Sequence, residues 1–105
     1  LGLVLSNGGR HPETGERLID KYAVQVAKTI MLTCGMYDGS GEFAVRVGIP
    51  SKSGVGGGIL AVVEKRMGIG IYGPALNEKG NSIGGSHVLE YLSKELNLHM
   101  FAAEQ

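Results

Sequence analysis

The chain has 105 residues, 43% of them hydrophobic, enough for one small domain that buries roughly two-thirds of its unfolded surface and too few for two independent ones. Ten Lys and Arg balance ten Asp and Glu, so no net field draws nucleic-acid phosphates or an anionic membrane surface, and a neutral small molecule or a protein partner fits better. A single cysteine, Cys34, excludes a disulfide scaffold, and the longest apolar run, Ile59 to Val63, is far below the roughly 20 residues that cross a bilayer; the sequence reads as soluble and cytoplasmic.

The sequence opens at Leu1 and soon meets a turn signal, Asn7-Gly8-Gly9, as a piece cut from a longer chain would. Pro12 and Thr14-Gly15 continue the turn chemistry, so residues 6 to 16 are expected to be loop. Asp20 can cap a helix whose apolar positions Ala23, Val26, Ala27, Ile30, Met31 and Cys34 recur at three and four, with Lys21, Gln25 and Lys28 opposite. On that face Cys34 reads as a small buried hydrophobe rather than a nucleophile, and Gly35 is the expected stop.

From Tyr37 to Val47 the local pattern stays open: Phe43 to Val47 fits a short strand, or a helical turn after Ser40. Gly48 to Gly58 is glycine-rich and holds Pro50, which predicts a loop whose backbone can approach other groups closely, the place where chemistry is expected. Ile59 to Val63 and Met67 to Tyr72 are short apolar runs joined by Glu64-Lys65-Arg66, the pattern of an antiparallel hairpin. Met67, Ile69 and Ile71 share one face of the second run; Gly68, Gly70 and Tyr72 share the other, and a bare glycine face lets another element pack very close. After the turn-rich stretch from Pro74 to Gly80, Asn81 or Ser82 can cap a last helix with Val88, Leu89, Leu92 and Leu96 inward and Glu90 and Lys94 paired outward. No repeat or low-complexity tract interrupts this order. Helix, glycine loop, hairpin and helix together predict an α/β fold with an antiparallel sheet.

Several motifs carry possible chemistry. Lys52-Ser53-Gly54 matches a strand-edge signature of β-lactamases and penicillin-binding proteins, where a cation and a hydroxyl stand beside a nucleophilic serine; its bland reading is an exposed lysine in a loop. Gly48 to Ser53 fails as a phosphate loop, because no glycine directly precedes Lys52 and no helix follows. Gly68 to Gly73 spells the dinucleotide pattern inside a strand-like alternation with Pro74 next, so no helix start receives a pyrophosphate. His11, His87 and His99 are far apart without metal-ligand spacing, so no metal site is expected. Tyr37, just past the helix stop, reads from position as a core tyrosine tied to backbone, or else as a proton-relay hydroxyl. No Ser-x-x-Lys occurs in the chain.

Ser6-Asn7-Gly8-Gly9, Thr14-Gly15-Glu16, the run from Cys34 to Phe43, the run from Val47 to Gly58, and Gly80-Asn81-Ser82 appear in the order of the last third of the serine-dependent glutaminases. Over roughly Ser6 to Phe101 the chain resembles that family. The resemblance implies an α/β (α+β) fold of the β-lactamase and penicillin-binding-protein kind, with residues 1–105 as a carboxy-terminal fragment of a single domain, and it favours helix for the open segment after Ser40. It implies hydrolysis of L-glutamine to L-glutamate and ammonia by a serine of a Ser-x-x-Lys motif lying in a missing amino-terminal segment, without metal or organic cofactor, and association into homo-oligomers.

By the same resemblance Tyr37 is the tyrosine whose hydroxyl shuttles a proton at the reaction centre, a role that needs a neighbouring lysine cation to favour phenolate. Val55 is the residue whose backbone N–H completes the oxyanion hole. Ser51, where alanine is frequent, and Gly73, where serine usually precedes the proline, depart from the commoner pattern, and Gly73 is expected to loosen the turn beneath the hairpin. Alone, the fragment is expected to be inactive. Two rivals remain beside this reading: a non-catalytic binding or assembly module, suggested by the absent nucleophile and the glycine-faced hairpin, and a penicillin-recognising hydrolase, suggested by Lys52-Ser53-Gly54.

Overall fold

A computed structural model describes residues 1–102. Its elements are α1 (Gly2–Ser6), α2 (Lys21–Cys34), a 3₁₀ turn (Tyr37–Gly39), α3 (Ser40–Arg46), β1 (Ser51–Ser53), β2 (Gly58–Val63), β3 (Met67–Tyr72) and α4 (Ile83–Glu95). The strands form one antiparallel sheet in the order β1-β2-β3, with Lys52 opposite Leu60 and Leu60 opposite Gly70. The α/β class, the antiparallel sheet and the hairpin are as expected. The open segment resolves as helix, and the glycine-rich loop contains a strand, β1, that the composition concealed.

Alternation along β2 divides the core between the two faces of the sheet. Ile59, Ala61 and Val63 join Met36, Val47, Ile49, Leu89 and Leu98 on one side, with Met67, Ile69, Ile71 and Leu92 partly buried against them. Val62, with Leu60 at its margin, joins Leu5, Val24 and Met31 on the other. Helices therefore cover both faces, and β2, buried from both sides, shows the continuous apolar run that such burial demands.

The glycine face of β3 admits a closely packed element, as expected, at Gly68, and that element is α1. A Cβ on Gly68 would lie 2.4 Å from the Gly2 carbonyl carbon, so the two backbones touch. Replacing Gly68 by valine is expected to cost about 2 kcal/mol through overpacking, seen as a lower urea midpoint at unchanged m-value.

The caps explain where the long helices begin. Asp20 accepts from the N–H groups of Tyr22 and Ala23, and Ser82, rather than Asn81, accepts from Gly85 N–H at the start of α4. Each such cap contributes about 1 kcal/mol.

The inward faces of the helices differ from expectation. In α2 the buried residues are Val24 and Met31, while Val26, Ile30 and Cys34 are exposed. The helix carries two apolar stripes, and α1 with the sheet takes the one through Val24; periodicity cannot choose between them. Cys34 is accordingly a surface thiol whose Sγ contacts the Ile30 carbonyl. In α4, Leu89 is buried and Leu92 half-buried, but Val88 and Leu96 are exposed, because the small residues Gly85 and Ser93 sit inward and let the helix approach Ile59 and the Val47 carbonyl. The outward Glu90 and Lys94 pair at 3.6 Å as expected. Gly73 does not loosen its turn. Its N–H donates to the Gly57 carbonyl at 2.9 Å, and a Cβ there would meet Ser82 Oγ at 2.7 Å.

Candidate functional site

The end of α2 and the edge strand β1 are tied at Gly35. Its carbonyl accepts from Ser53 N–H at 2.9 Å, and a Cβ at this position would lie 1.8 Å from the Ser51 carbonyl oxygen. Only glycine permits that approach, and it delivers Tyr37, two residues on, to the end of β1.

Tyr37 adopts φ +55°, a left-handed backbone that costs a non-glycine residue roughly 1–2 kcal/mol. Its hydroxyl reaches the Ser53 carbonyl at 3.4 Å, a long hydrogen bond. The same carbonyl accepts from the Lys52 ammonium, whose Nζ also stands 5.0 Å from the centroid of the Tyr37 ring, within cation–π range. A lysine cation therefore stands over the face of the Tyr37 ring. Tyr37 is 39% exposed; the core reading of this tyrosine holds for the hydroxyl, which is tied to backbone, and fails for the ring.

Within Lys52-Ser53-Gly54 the strand separates the cation from the hydroxyl. Lys52 points outward, while Ser53 is buried and its Oγ has no hydrogen-bond partner among the described residues. Only the cation accompanies Tyr37, unlike the β-lactamase and penicillin-binding-protein signature, in which cation and hydroxyl stand together.

Beyond β1 the chain turns tightly. Gly57 N–H donates to the Gly54 carbonyl and Gly54 N–H to the Gly58 carbonyl, both at 3.0 Å. Val55 and Gly56 occupy the corners of this turn. The Val55 side chain is 74% exposed, and among the described residues its N–H donates to nothing. The loop that follows the Tyr37–Lys52–Ser53 contact thus carries an amide without a partner among the described residues.

Other candidates resolve structurally. Residues 51–53 are strand, which removes the phosphate-loop geometry, and Gly68 to Tyr72 lie in β3. His99 is held by contacts at both ring nitrogens, to the Val45 carbonyl and from Phe101 N–H, and His11 Nδ1 accepts from Glu13 and Thr14. Gly80-Asn81-Ser82-Ile83-Gly84 spells the Gly-x-Ser-x-Gly pattern of a nucleophile elbow. Ser82 is nonetheless fully buried and spends its hydroxyl on the α4 cap, so it offers no nucleophile.

Two polar residues that no motif marks as site residues surround Tyr37. Ser40 Oγ accepts from Met36 N–H at 3.0 Å and donates to the Tyr37 carbonyl at 2.8 Å, and Asn81 Nδ2 donates to the Met36 carbonyl at 2.8 Å. Asn81 reads locally only as a cap, and a contact across 45 residues leaves no local signal. On the far side of this segment an open cleft of about 500 Å³ lies between α3, the 77–81 turn and α4, lined by Met36, Gly39, Phe43, Asn81 and His87 among others; Tyr37, Lys52 and Val55 do not line it.

The family model described as Glutaminase matches residues 1–101. The chain belongs to the glutaminase family. It is 58% identical over 101 residues to the glutaminase of Clostridium botulinum (strain Loch Maree / Type A3), covering 96% of this chain and 33% of that protein. It is 60% identical over 100 residues to glutaminase 2 of Clostridium perfringens (strain 13 / Type A), covering 95% and 33%.

Among solved structures it superposes on a Bacillus glutaminase crystallised in 4.3 M NaCl with a TM-score of 0.91 at 48% identity, covering 95% of this chain and 35% of that one. It also superposes on the covalent complex between the Bacillus subtilis glutaminase YbgJ and 5-oxo-L-norleucine, formed by reaction with 6-diazo-5-oxo-L-norleucine, with a TM-score of 0.92 at 47% identity, covering 95% and 37%. The chain thus spans about a third of the length of its curated glutaminase relatives. The sheet with its flanking helices is part of the β-lactamase-like fold of this family, and its membership does not favour the penicillin-recognising rival. None of the described helices is long and apolar enough to cross a membrane.

Proposed function

We propose that residues 1–105 are the carboxy-terminal part of one glutaminase domain that hydrolyses L-glutamine to L-glutamate and ammonia, and that this part contributes Tyr37 and the Val55 amide to a site completed by an amino-terminal segment. A serine Oγ from that segment attacks the side-chain amide carbon, and the carbonyl oxygen becomes an oxyanion received by the Val55 N–H together with the serine's own N–H. Ammonia leaves with a proton relayed through Tyr37, and water then cleaves the resulting ester to release glutamate. The scheme uses neither metal nor organic cofactor.

The observation that carries this reading is the convergence of the Tyr37 hydroxyl and the Lys52 ammonium on the Ser53 carbonyl, immediately before a turn whose Val55 N–H has no partner among the described residues. Support also comes from the ligand of the Bacillus subtilis relative, whose ketone lies at the fifth carbon, where glutamine has its amide carbonyl. The exposed stripe of Tyr22, Val26 and Ile30 along α2 gives the remainder of the domain an apolar surface to cover. A cytoplasmic, homo-oligomeric enzyme is the form in which we place it.

Ammonia release from L-glutamine tests the reading. The full-length protein containing this segment should be active and the 105-residue chain silent; a silent full-length protein, under conditions where another glutaminase turns over, returns the lead to a non-catalytic assembly module.

A further inference from the structure

The left-handed backbone at Tyr37 is a strain with a visible restraint. The φ and ψ angles of a residue are the rotations of its two flanking peptide planes, and both planes at Tyr37 are held by buried side chains. Asn81 Nδ2 holds the Met36 carbonyl, on the preceding plane, at 2.8 Å. Ser40 Oγ holds the Tyr37 carbonyl, on the following plane, at 2.8 Å, and takes the Met36 N–H at 3.0 Å. Asn81 is 4% and Ser40 5% exposed, so water does not compete for these bonds. Gly80, preceding Asn81, lies alongside the ring: a Cβ there would stand 3.6 Å from Tyr37 Cδ2 and Cε2. The other amide atom, Asn81 Oδ1, is buried without a partner among the described residues. Leaving that acceptor unpaired costs stability, and the bond that Asn81 makes through its side chain is the one from Nδ2 to the Met36 carbonyl.

We propose that Asn81 and Ser40 are positioning residues that clamp the peptide planes on either side of Tyr37, holding it in the left-handed conformation that presents its hydroxyl at the Ser53 carbonyl. The inference rests on the glutaminase reading for its kinetic consequence, and on geometry alone for its structural one. Misplacing a relay group by a fraction of a bond length slows the chemical step while leaving substrate capture nearly untouched.

The experiment is a double-mutant cycle in the full-length protein. Asn81→Ala should lower kcat by roughly 10- to 100-fold with KM moving less than about threefold, whereas in a Tyr37→Phe background the same substitution should lower kcat by less than about threefold, because the group it positions is gone. Ser40→Ala, run through the same cycle, should repeat the pattern. Equal losses in both backgrounds, or a loss carried by KM, would overturn the proposal, as would unfolding of both variants, which would make the pair folding determinants.

A crystal structure of Asn81→Ala supplies the readout that does not depend on activity. Tyr37 leaving the left-handed region is the expected result, and Tyr37 found unmoved refutes the clamp. If the unsubstituted protein releases no ammonia, the glutaminase reading falls and this structural readout still decides the clamp.

Discussion

Tyr37→Phe in the full-length protein should lower kcat by roughly 10²- to 10⁴-fold, the range associated with losing a positioned acid–base group, while Tm stays within a few degrees. The substitution removes one oxygen and nothing else. The ring keeps its place beneath the Lys52 ammonium, and the backbone bonds to Ser40 and Asn81 do not involve the side chain. With the hydroxyl goes its 3.4 Å hydrogen bond to the Ser53 carbonyl, made by a residue that is 39% exposed, which limits the stability cost to about 0.5 kcal/mol. Lys52 retains its own bond to that carbonyl, so the acceptor is not orphaned. Steady-state kinetics beside a thermal melt separate the two roles open to this hydroxyl: a fall in kcat at constant Tm marks a relay, and unchanged kcat marks a structural tie.

The parts of this molecule that sequence makes legible are those governed by short-range rules. Asp20 announces α2 because a carboxylate before a periodic run satisfies orphan N–H groups. The hairpin of β2 and β3 follows from two apolar runs around a charged turn, and the glycine face of β3 foretells a close backbone contact, though not that Gly2 makes it. The choice between the Val24 and Val26 stripes of α2 depends on what lies across from the helix, which no window of neighbouring residues contains. Strand β1 is hidden because three residues between a proline and a glycine loop owe their extended form to pairing with β2. The five-residue α1 is hidden for the same kind of reason: a helix that short exists because it is docked, not because its sequence insists.

At the site, Tyr37 and Val55 stand out by motif resemblance. The physical features at those positions appear only in three dimensions: the positive φ of Tyr37, the Lys52 ammonium over its ring, and the Val55 amide without a partner among the described residues. Ser40 and Asn81 illustrate the limit most clearly, since each looks locally like a helix-start residue and acts on the backbone of Met36 and Tyr37 instead.

Val55→Pro should cost about 3 kcal/mol of transition-state stabilisation, on the order of 10²-fold in kcat, because it deletes a single N–H that the proposed oxyanion requires. The turn makes this an unusually clean deletion. With Gly57 N–H bonded to the Gly54 carbonyl, Val55 occupies the first corner of a β-turn, the position where proline's fixed φ is most at home. The amide it removes has no partner to forfeit among the described residues, and the valine side chain is 74% exposed, so folding loses little and the unfolded chain loses some of its freedom. Val55→Ala supplies the control, changing the side chain and sparing the N–H, and should cost less than about threefold in kcat. The paired result expected is a Val55→Pro protein that melts like its parent, binds L-glutamine and turns it over slowly, beside a Val55→Ala protein close to the parent in both respects. A Val55→Pro protein with full turnover would show that the oxyanion is held by other donors, and would leave the free amide of this loop without the role that its position at the end of β1 suggests.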